Sequence, residues 1–164
     1  AGAADSKLPD MQAGWEQMCS AVMAGLSGLN MVYESAGMHA SLLGFCHESL
    51  ILSDDLIGQA LRCVRGIEVN DETMALDQIR DTCIGGPGHY LGTGQTLSRM
   101  QVDYVYPNLG DRTSPKEWAE KEKPDLLQKA TARKEEILSL PSTARFDPET
   151  DMALRSRFNI HLPS

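Results

Sequence analysis

The sequence predicts part of an α/β fold that is mostly α-helical and contains one or two short strands. Three observations support this fold class. Apolar residues recur at helical spacing in the segment that follows Asp10. A short apolar run at residues 29–33 comes directly after that segment and is typical of a buried strand. Start and stop signals for further helices occupy the rest of the chain.

The first helix is predicted to begin at Asp10, a residue type that caps helix N-termini well, and to end at Gly28. Its apolar positions fall on one side of a helix, so we expect that side to face the core. The residues of this apolar face are Met11, Trp15, Met18, Val22, Met23 and Leu26.

The run at residues 29–33 is the only convincing strand in the chain. A lone strand has no partner for its backbone N–H and C=O groups, so its neighbouring strands must come from elsewhere. We therefore interpret the chain as a fragment of a larger protein, and the absence of Met at Ala1 agrees with this interpretation.

Further helices follow a loop at residues 34–47 that contains Gly37 and Gly44. The clearest start is Ser114, Pro115 and Glu117, which combine an N-cap, a proline at the first helical position and a capping box. Five other helices are predicted. The second helix begins at residues 53–55 and ends at Gly66, and the third runs from residues 70–72 to the glycine-rich stretch 85–88. The remaining helices begin at Thr93, cover residues 125–140 after a break at Pro124, and begin at residue 147.

Composition excludes several function classes. The chain has 15 Lys and Arg against 23 Asp and Glu, a formal net charge of -8, which argues against nucleic acid as a partner. No apolar run approaches the length of a membrane span. The four cysteines are dispersed, and Cys63 and Cys83 lie on apolar helical stretches, so we expect buried free thiols and a reducing cytoplasm.

Two kinds of reactive site are weakly supported. A metal site would combine adjacent Cys46 and His47 with His39 or His89, but this spacing is unlike that of zinc sites, so we expect no metal. A serine nucleophile beside a histidine base remains an alternative. Its possible pairs combine Ser41 or Ser49 with His39 or His47. The glycine-rich stretch 85–88 has no preceding strand, which argues against a phosphate-binding loop.

The segment after the predicted strand, residues 33–48, is the most informative for function. In parallel α/β folds the loops that follow strands build the active site. This segment offers Tyr33, Glu34, His39 and Glu48 close together, with Phe45 and His47. Aromatic faces and carboxylates suit a cationic ammonium group. A structural interpretation stays open, in which Tyr33 closes the core and Glu48 caps the second helix.

Several stretches resemble the trimethylamine methyltransferase family and keep its order and spacing. They are residues 5–14, residues 29–33 with Gly37 and Met38, residues 65–73, and residues 88–92 followed by Thr96 and Leu97. The resemblance covers roughly residues 1–120, because the tail is less distinctive.

The resemblance implies a (β/α)8 barrel of the TIM type, of which this chain is the carboxy-terminal part. Residues 1–164 would form one fragment, with a helix, strand and loop over residues 1–48 and helices over 49–164. We expect Tyr33, Glu34 and His39 to line the substrate end of this barrel, with Glu48 and His89 as weaker candidates. The chain departs from the family pattern around His39 and His47, where other members often have apolar or aromatic residues.

The implied reaction moves a methyl group from a methylated amine to the Co(I) of a corrinoid on a separate small protein. Carriers of this kind hold cobalt through a D-x-H-x-x-G motif, which no histidine of this chain matches. We therefore expect the corrinoid on a partner and no cofactor on this chain. Relatives that demethylate trimethylamine carry pyrrolysine, whereas this chain has only standard residues. A quaternary amine such as glycine betaine is the expected substrate.

Two other functions stay open. The chain is either a non-catalytic amine-binding module, or a structural and docking module whose catalytic groups lie elsewhere in the parent protein. We expect the chain alone to be inactive as a methyltransferase. Exposed apolar surface at missing strands would favour a homo-oligomer.

Overall fold

The computed structural model describes residues 2–121, 123–141 and 146–160. These residues form a mostly helical structure with one small antiparallel sheet, which confirms the helical character predicted from the sequence. In chain order the elements are α1 (Met11–Leu26), β1 (Met38–His39), β2 (Gly44–Phe45), α2 (His47–Arg65), α3 (Asp71–Met74), α4 (Leu76–Cys83), α5 (Gly94–Asp103), α6 (Pro115–Glu120), α7 (Leu126–Ser139) and α8 (Pro148–Arg157). The barrel implied by the resemblance stays an expectation.

The helix starts are the features of the fold that the sequence predicted most accurately. Asp10 accepts a hydrogen bond from the Ala13 amide and caps α1. Ser114 and Glu117 form the predicted capping box of α6 with Pro115 in its first turn. Thr93 and Asp147 likewise cap α5 and α8. These signals are local in sequence, so they need no tertiary contact to act.

Helices α1 and α2 pack against each other through small and polar side chains. Ala13, Gln17 and Ala24 are the buried residues of α1, and Ser49, Ser53 and Ala60 are those of α2. A Cβ atom on Gly25 would overlap the side chain of Val64, so the two helices approach closely there. Small residues permit this approach because their side chains occupy little volume between the two backbones.

The predicted inward face of α1 is wrong for this structure. Met11 and Trp15 are 80% and 58% exposed, and Met23 and Leu26 are also exposed. The helix presents its small residues to α2 instead. The large apolar side chains therefore remain in contact with solvent.

The strand predicted at residues 29–33 is also wrong: these residues have no regular structure. Met31 and Tyr33 are 82% and 69% exposed. An extended segment becomes a strand only when a neighbouring strand accepts its backbone hydrogen bonds. In the described part of the chain the only sheet is the pair β1 and β2, with Met38 opposite Phe45 and His39 opposite Gly44.

The amino-terminal segment lies along this small sheet. The Ala4 amide donates to the Met38 carbonyl at 3.0 Å, and the Ala40 amide donates to the Ser6 carbonyl at 3.0 Å. Ala4 and Ser6 are both buried. The amino-terminal segment therefore packs alongside β1 and is held there by these backbone hydrogen bonds.

Other boundaries and burial predictions need correction. Helix α2 begins at His47 rather than near residue 53, because the extended Cys46 serves as its N-cap without a side-chain hydrogen bond. The predicted third helix is divided into α3 and α4 at Ala75, whose φ of 52° is left-handed. Cys63 and Cys83 are exposed rather than buried.

The chain groups into two compact units, Ala1–Lys134 and Glu135–Ser164. The first contains α1 to α6, the small sheet and most of α7. The second contains the end of α7 and all of α8. Among the described residues, no helix combines the length and apolar character needed to cross a membrane.

Candidate functional site

The loop around the small sheet has an unusual backbone. Glu34, Ala40, Ser41 and Leu42 all have positive φ, at 56°, 50°, 54° and 72°. This conformation is costly for residues with a Cβ atom and persists only where surrounding contacts fix it. Such segments occur often at functional sites.

His39 lies at the centre of this region and is only 4% exposed. Its Nε2 atom is 2.6 Å from the Ser49 hydroxyl, and its Nδ1 atom is 3.3 Å from the Ser6 carbonyl oxygen. A carbonyl oxygen can only accept, so in the neutral ring Nδ1 carries the proton and Nε2 accepts from Ser49. The structure thus forms one of the serine and histidine pairs considered from the sequence.

The polar network continues from Ser49 into α1. The Ser53 hydroxyl lies 2.6 Å from the Ser49 carbonyl oxygen and 3.1 Å from Gln17 Oε1, and it accepts from the Gly37 amide. Gln17 Nε2 donates to the Met38 carbonyl at 3.4 Å. In the described residues every buried side-chain nitrogen and oxygen has a partner. This satisfied network joins β1, α1 and α2 rigidly.

Glu48 lies in the first turn of α2 and pairs with Lys134. Its Oε1 atom accepts from Lys134 Nζ at 2.7 Å, and the two side chains are only 20% and 22% exposed. The Lys134 hydrogen bond, with help from the Glu48 amide and the Cys46 thiol, lowers the pKa of Glu48 from 4.5 to about 2. Glu48 is therefore ionised at neutral pH and anchors α7 to the start of α2.

We expect Glu48→Gln to remove a pH-dependent part of the stability. A carboxyl with a lowered folded-state pKa stabilises the fold above its unfolded pKa of 4.5, and this contribution disappears as the pH falls toward about 2. Urea unfolding between about pH 7 and 3 should show a destabilised variant at neutral pH and a shrinking difference in acid. A difference that stays constant over this range would contradict the assigned ion pair.

The other three candidates, Tyr33, Glu34 and His89, are exposed. Within the described residues none of them hydrogen-bonds to His39 or Glu48. The structure therefore brings His39 close to the α2 turn that carries Glu48 but leaves the other three separate. A substrate role for the five residues stays a prediction.

A cleft of about 710 Å³ lies within the first unit, beside α1, α2 and the loop at residues 107–112. Asp55 holds this loop in place, because its carboxylate accepts from the amides of Asn108, Leu109 and Gly110 at 2.8, 2.7 and 3.2 Å. Side chains that line the cleft include Asp10, Trp15, Met18, Leu52, Leu56 and Arg112. Sequence reasoning did not identify this site. Its long-range contacts, such as that from Asp55 to residue 108, leave no local signature.

The described residues contain no group of three or more His, Cys, Asp or Glu side chains placed to hold a metal ion. The lone Cys46 thiol donates to Glu48 Oε2 at 3.4 Å and is thus already partnered.

Comparison with known proteins identifies the family. The profile described as "Trimethylamine methyltransferase (MTTB)" matches residues 1–160. A glycine betaine methyltransferase from Desulfitobacterium hafniense is 34% identical over 155 residues, which cover 94% of this chain and 32% of that protein. The trimethylamine methyltransferase MttB2 from Methanosarcina mazei is 36% identical over 135 residues, covering 82% of this chain and 26% of that protein. The chain belongs to the trimethylamine methyltransferase family.

The chain spans about a quarter to a third of the length of these curated relatives. The family assignment confirms the resemblance seen in the sequence. It also makes the chain part of an enzyme family whose named members transfer methyl groups from methylated amines.

Proposed function

We propose that the protein to which this chain belongs moves a methyl group from a tertiary or quaternary methylated amine to the Co(I) of a corrinoid held by a separate protein. The amine is trimethylamine or a compound like glycine betaine. The observation that carries this proposal is the similarity to a glycine betaine methyltransferase over 94% of the chain.

The chemistry favours a quaternary amine. When the C–N bond of a quaternary ammonium breaks, its electron pair stays on nitrogen and the leaving group is a neutral amine. The Co(I) electron pair forms the new bond to the methyl carbon. No proton transfer is required, so the protein mainly has to orient the methyl group and exclude water.

The corrinoid enters this reaction as the methyl acceptor of a partner protein. No histidine of the sequence lies in a D-x-H-x-x-G motif, which supports placing the corrinoid on a partner. This chain would then contribute residues to the amine site and to the surface that docks the corrinoid protein. Tyr33, Glu34, His39, Glu48 and His89 are the proposed amine-site residues.

The test uses the full-length protein with free cob(I)alamin as the acceptor. We expect the absorbance of cob(I)alamin to decrease with glycine betaine, with dimethylglycine as the second product. Glu34→Ala in the same protein should raise KM or abolish turnover, whereas Glu136→Ala on α7 serves as an exposed acidic control. If no methylated amine supports the absorbance change, the enzyme proposal is wrong and the amine-binding module is favoured.

A structural and docking role gives a different result. In that case Glu34→Ala and Tyr33→Ala in the full-length protein would leave both KM and kcat unchanged, because all substrate contacts would come from other parts of the protein. We propose that the chain alone has no methyltransferase activity. Turnover by residues 1–164 alone would contradict this part of the proposal.

A further inference from the structure

The segment at residues 30–36 lies between α1 and β1 and carries two of the proposed amine-site residues, Tyr33 and Glu34. Within the part of the chain that the structure describes, no residue of this segment makes a hydrogen bond to another. Both Tyr33 and Glu34 are exposed. The position of these two side chains therefore depends on the contacts that hold the two ends of the segment.

The two ends are held in different ways. The Leu29 amide donates to the Ala24 carbonyl at 3.2 Å and so continues the last turn of α1. The Gly37 amide donates to the Ser53 hydroxyl of α2 at 3.3 Å. Gly37 and Ser53 are both buried, so water does not compete for this hydrogen bond. At the second end, one side chain thus fixes the backbone.

Gln17 of α1 extends this anchor to the next residue of the chain. Its Nε2 atom donates to the Met38 carbonyl at 3.4 Å, and its Oε1 atom lies 3.1 Å from the Ser53 hydroxyl. A carbonyl can only accept, so the Met38 contact fixes which way the Gln17 carboxamide faces. Gln17 and Ser53 together hold two successive backbone groups, one at Gly37 and one at Met38.

Gly37 is the position at which the anchor acts on the segment. Its φ of 74° is one of many conformations open to glycine, so the hydrogen bond to Ser53 contributes to selecting it. A rotation at Gly37 changes the direction of the chain that precedes it. Glu34 is only three residues away, so its carboxylate moves with such a rotation.

We propose that Gln17 and Ser53 are positioning residues of the amine site, which act through Tyr33 and Glu34 and do not touch the substrate themselves. This proposal rests on the proposed function, which places Tyr33 and Glu34 in that site. Without the anchor the segment occupies more conformations, and a smaller fraction of molecules presents both side chains to the ammonium group. Apparent affinity falls by that fraction, whereas transfer in the bound complex is nearly unaffected.

The first test compares KM and kcat in the full-length protein with glycine betaine and free cob(I)alamin. Ser53→Ala should raise the glycine betaine KM about three- to tenfold and change kcat by less than about twofold. Gln17→Met should act in the same direction, because it removes both Gln17 hydrogen bonds. A merely structural role would instead lower kcat through loss of folded protein and leave KM unchanged.

Thr82→Val is the matched control, because it removes another buried helical hydroxyl. Thr82 lies on α4, is 2% exposed and accepts from Gln78 Nε2 at 3.0 Å. We expect it to change the glycine betaine KM by less than about twofold. Equal KM values for Ser53→Ala and Thr82→Val would overturn the proposal.

The route through the segment is tested in a full-length protein that already carries Tyr33→Ala and Glu34→Ala. In this background Ser53→Ala should change the KM by less than about twofold, because the side chains that Ser53 positions are gone. Calorimetry gives the same comparison as a dissociation constant if the background has no turnover. An effect of Ser53→Ala that is equally large in both backgrounds would overturn the proposal.

Hydrogen exchange of the full-length protein, followed by mass spectrometry, separates this proposal from the proposed function because it needs no turnover. Peptides that cover residues 33–38 should take up deuterium at least about threefold faster in Ser53→Ala, and Thr82→Val should leave their uptake unchanged. Equal uptake in the two variants would overturn the anchor even in an active methyltransferase. Faster uptake in a protein that transfers no methyl group would overturn the amine-site role together with the proposed function.

Discussion

Replacing Gly37 by alanine is expected to destabilise the protein by roughly 2–4 kcal/mol, since two costs add. Gly37 has a φ of 74°, which a residue with a Cβ atom adopts only with strain. The new Cβ would also lie 2.7 Å from Phe45 Cε2 and 3.2 Å from the Cys46 carbonyl oxygen. The carbonyl belongs to the N-cap of α2 and cannot move without disturbing that helix.

Urea unfolding followed by circular dichroism measures this effect. Gly58→Ala is the matched control. It lies inside α2 with open space around its Cα, so the same substitution should stabilise the protein by up to about 1 kcal/mol. If both alanine variants shift the free energy of unfolding in the same direction, the described geometry around Gly37 is wrong.

Replacing His39 by leucine is expected to lower the free energy of unfolding by roughly 2–4 kcal/mol. The leucine cannot accept from Ser49 or donate to the Ser6 carbonyl, so the buried Ser49 hydroxyl loses its acceptor, whereas the Ser6 carbonyl keeps only the hydrogen bond from the Ala40 amide. Leaving a buried donor or acceptor unsatisfied costs more than the hydrogen bond itself contributes.

A double variant tests whether the loss arises from this pair. His39→Leu with Ser49→Ala removes both partners, so it should cost less than the sum of the two single variants. His47→Leu, on an exposed histidine of the same segment, should change stability by no more than about 0.5 kcal/mol. Additive losses in the double variant would show that His39 and Ser49 are not coupled.

The sequence predicted the parts of the fold that local chemistry determines. Caps such as Asp10 and Ser114 act on amides within three residues, so their signals are contained in a short stretch. Residues 29–33 failed as a strand because strand formation depends on a partner that the described chain does not provide. Local patterns cannot report whether such a partner is present.

In the candidate site, too, features with a local sequence signal differ from features that depend on residues far apart in the chain. From the sequence, His39 with Ser49 is only one of several possible serine and histidine pairs, and the fold brings His39 Nε2 to 2.6 Å from the Ser49 hydroxyl. Trp15 of α1 and Arg112 of a distant loop line the same cleft. Asp55 links that loop to α2 through hydrogen bonds to amides that lie 53 to 55 residues further along the chain. The sequence assigned Asp55 only to a helix start, because the amides that it holds are far along the chain.

We propose that the full-length protein transfers a methyl group from an amine to a corrinoid. Mass spectrometry of cob(I)alamin after incubation with the full-length protein and glycine betaine carrying deuterated methyl groups tests it most directly. We predict a corrinoid product that carries one intact deuterated methyl group, and equimolar dimethylglycine that retains the other two. An unlabelled corrinoid beside intact glycine betaine, with the same result for deuterated trimethylamine, would contradict the claim.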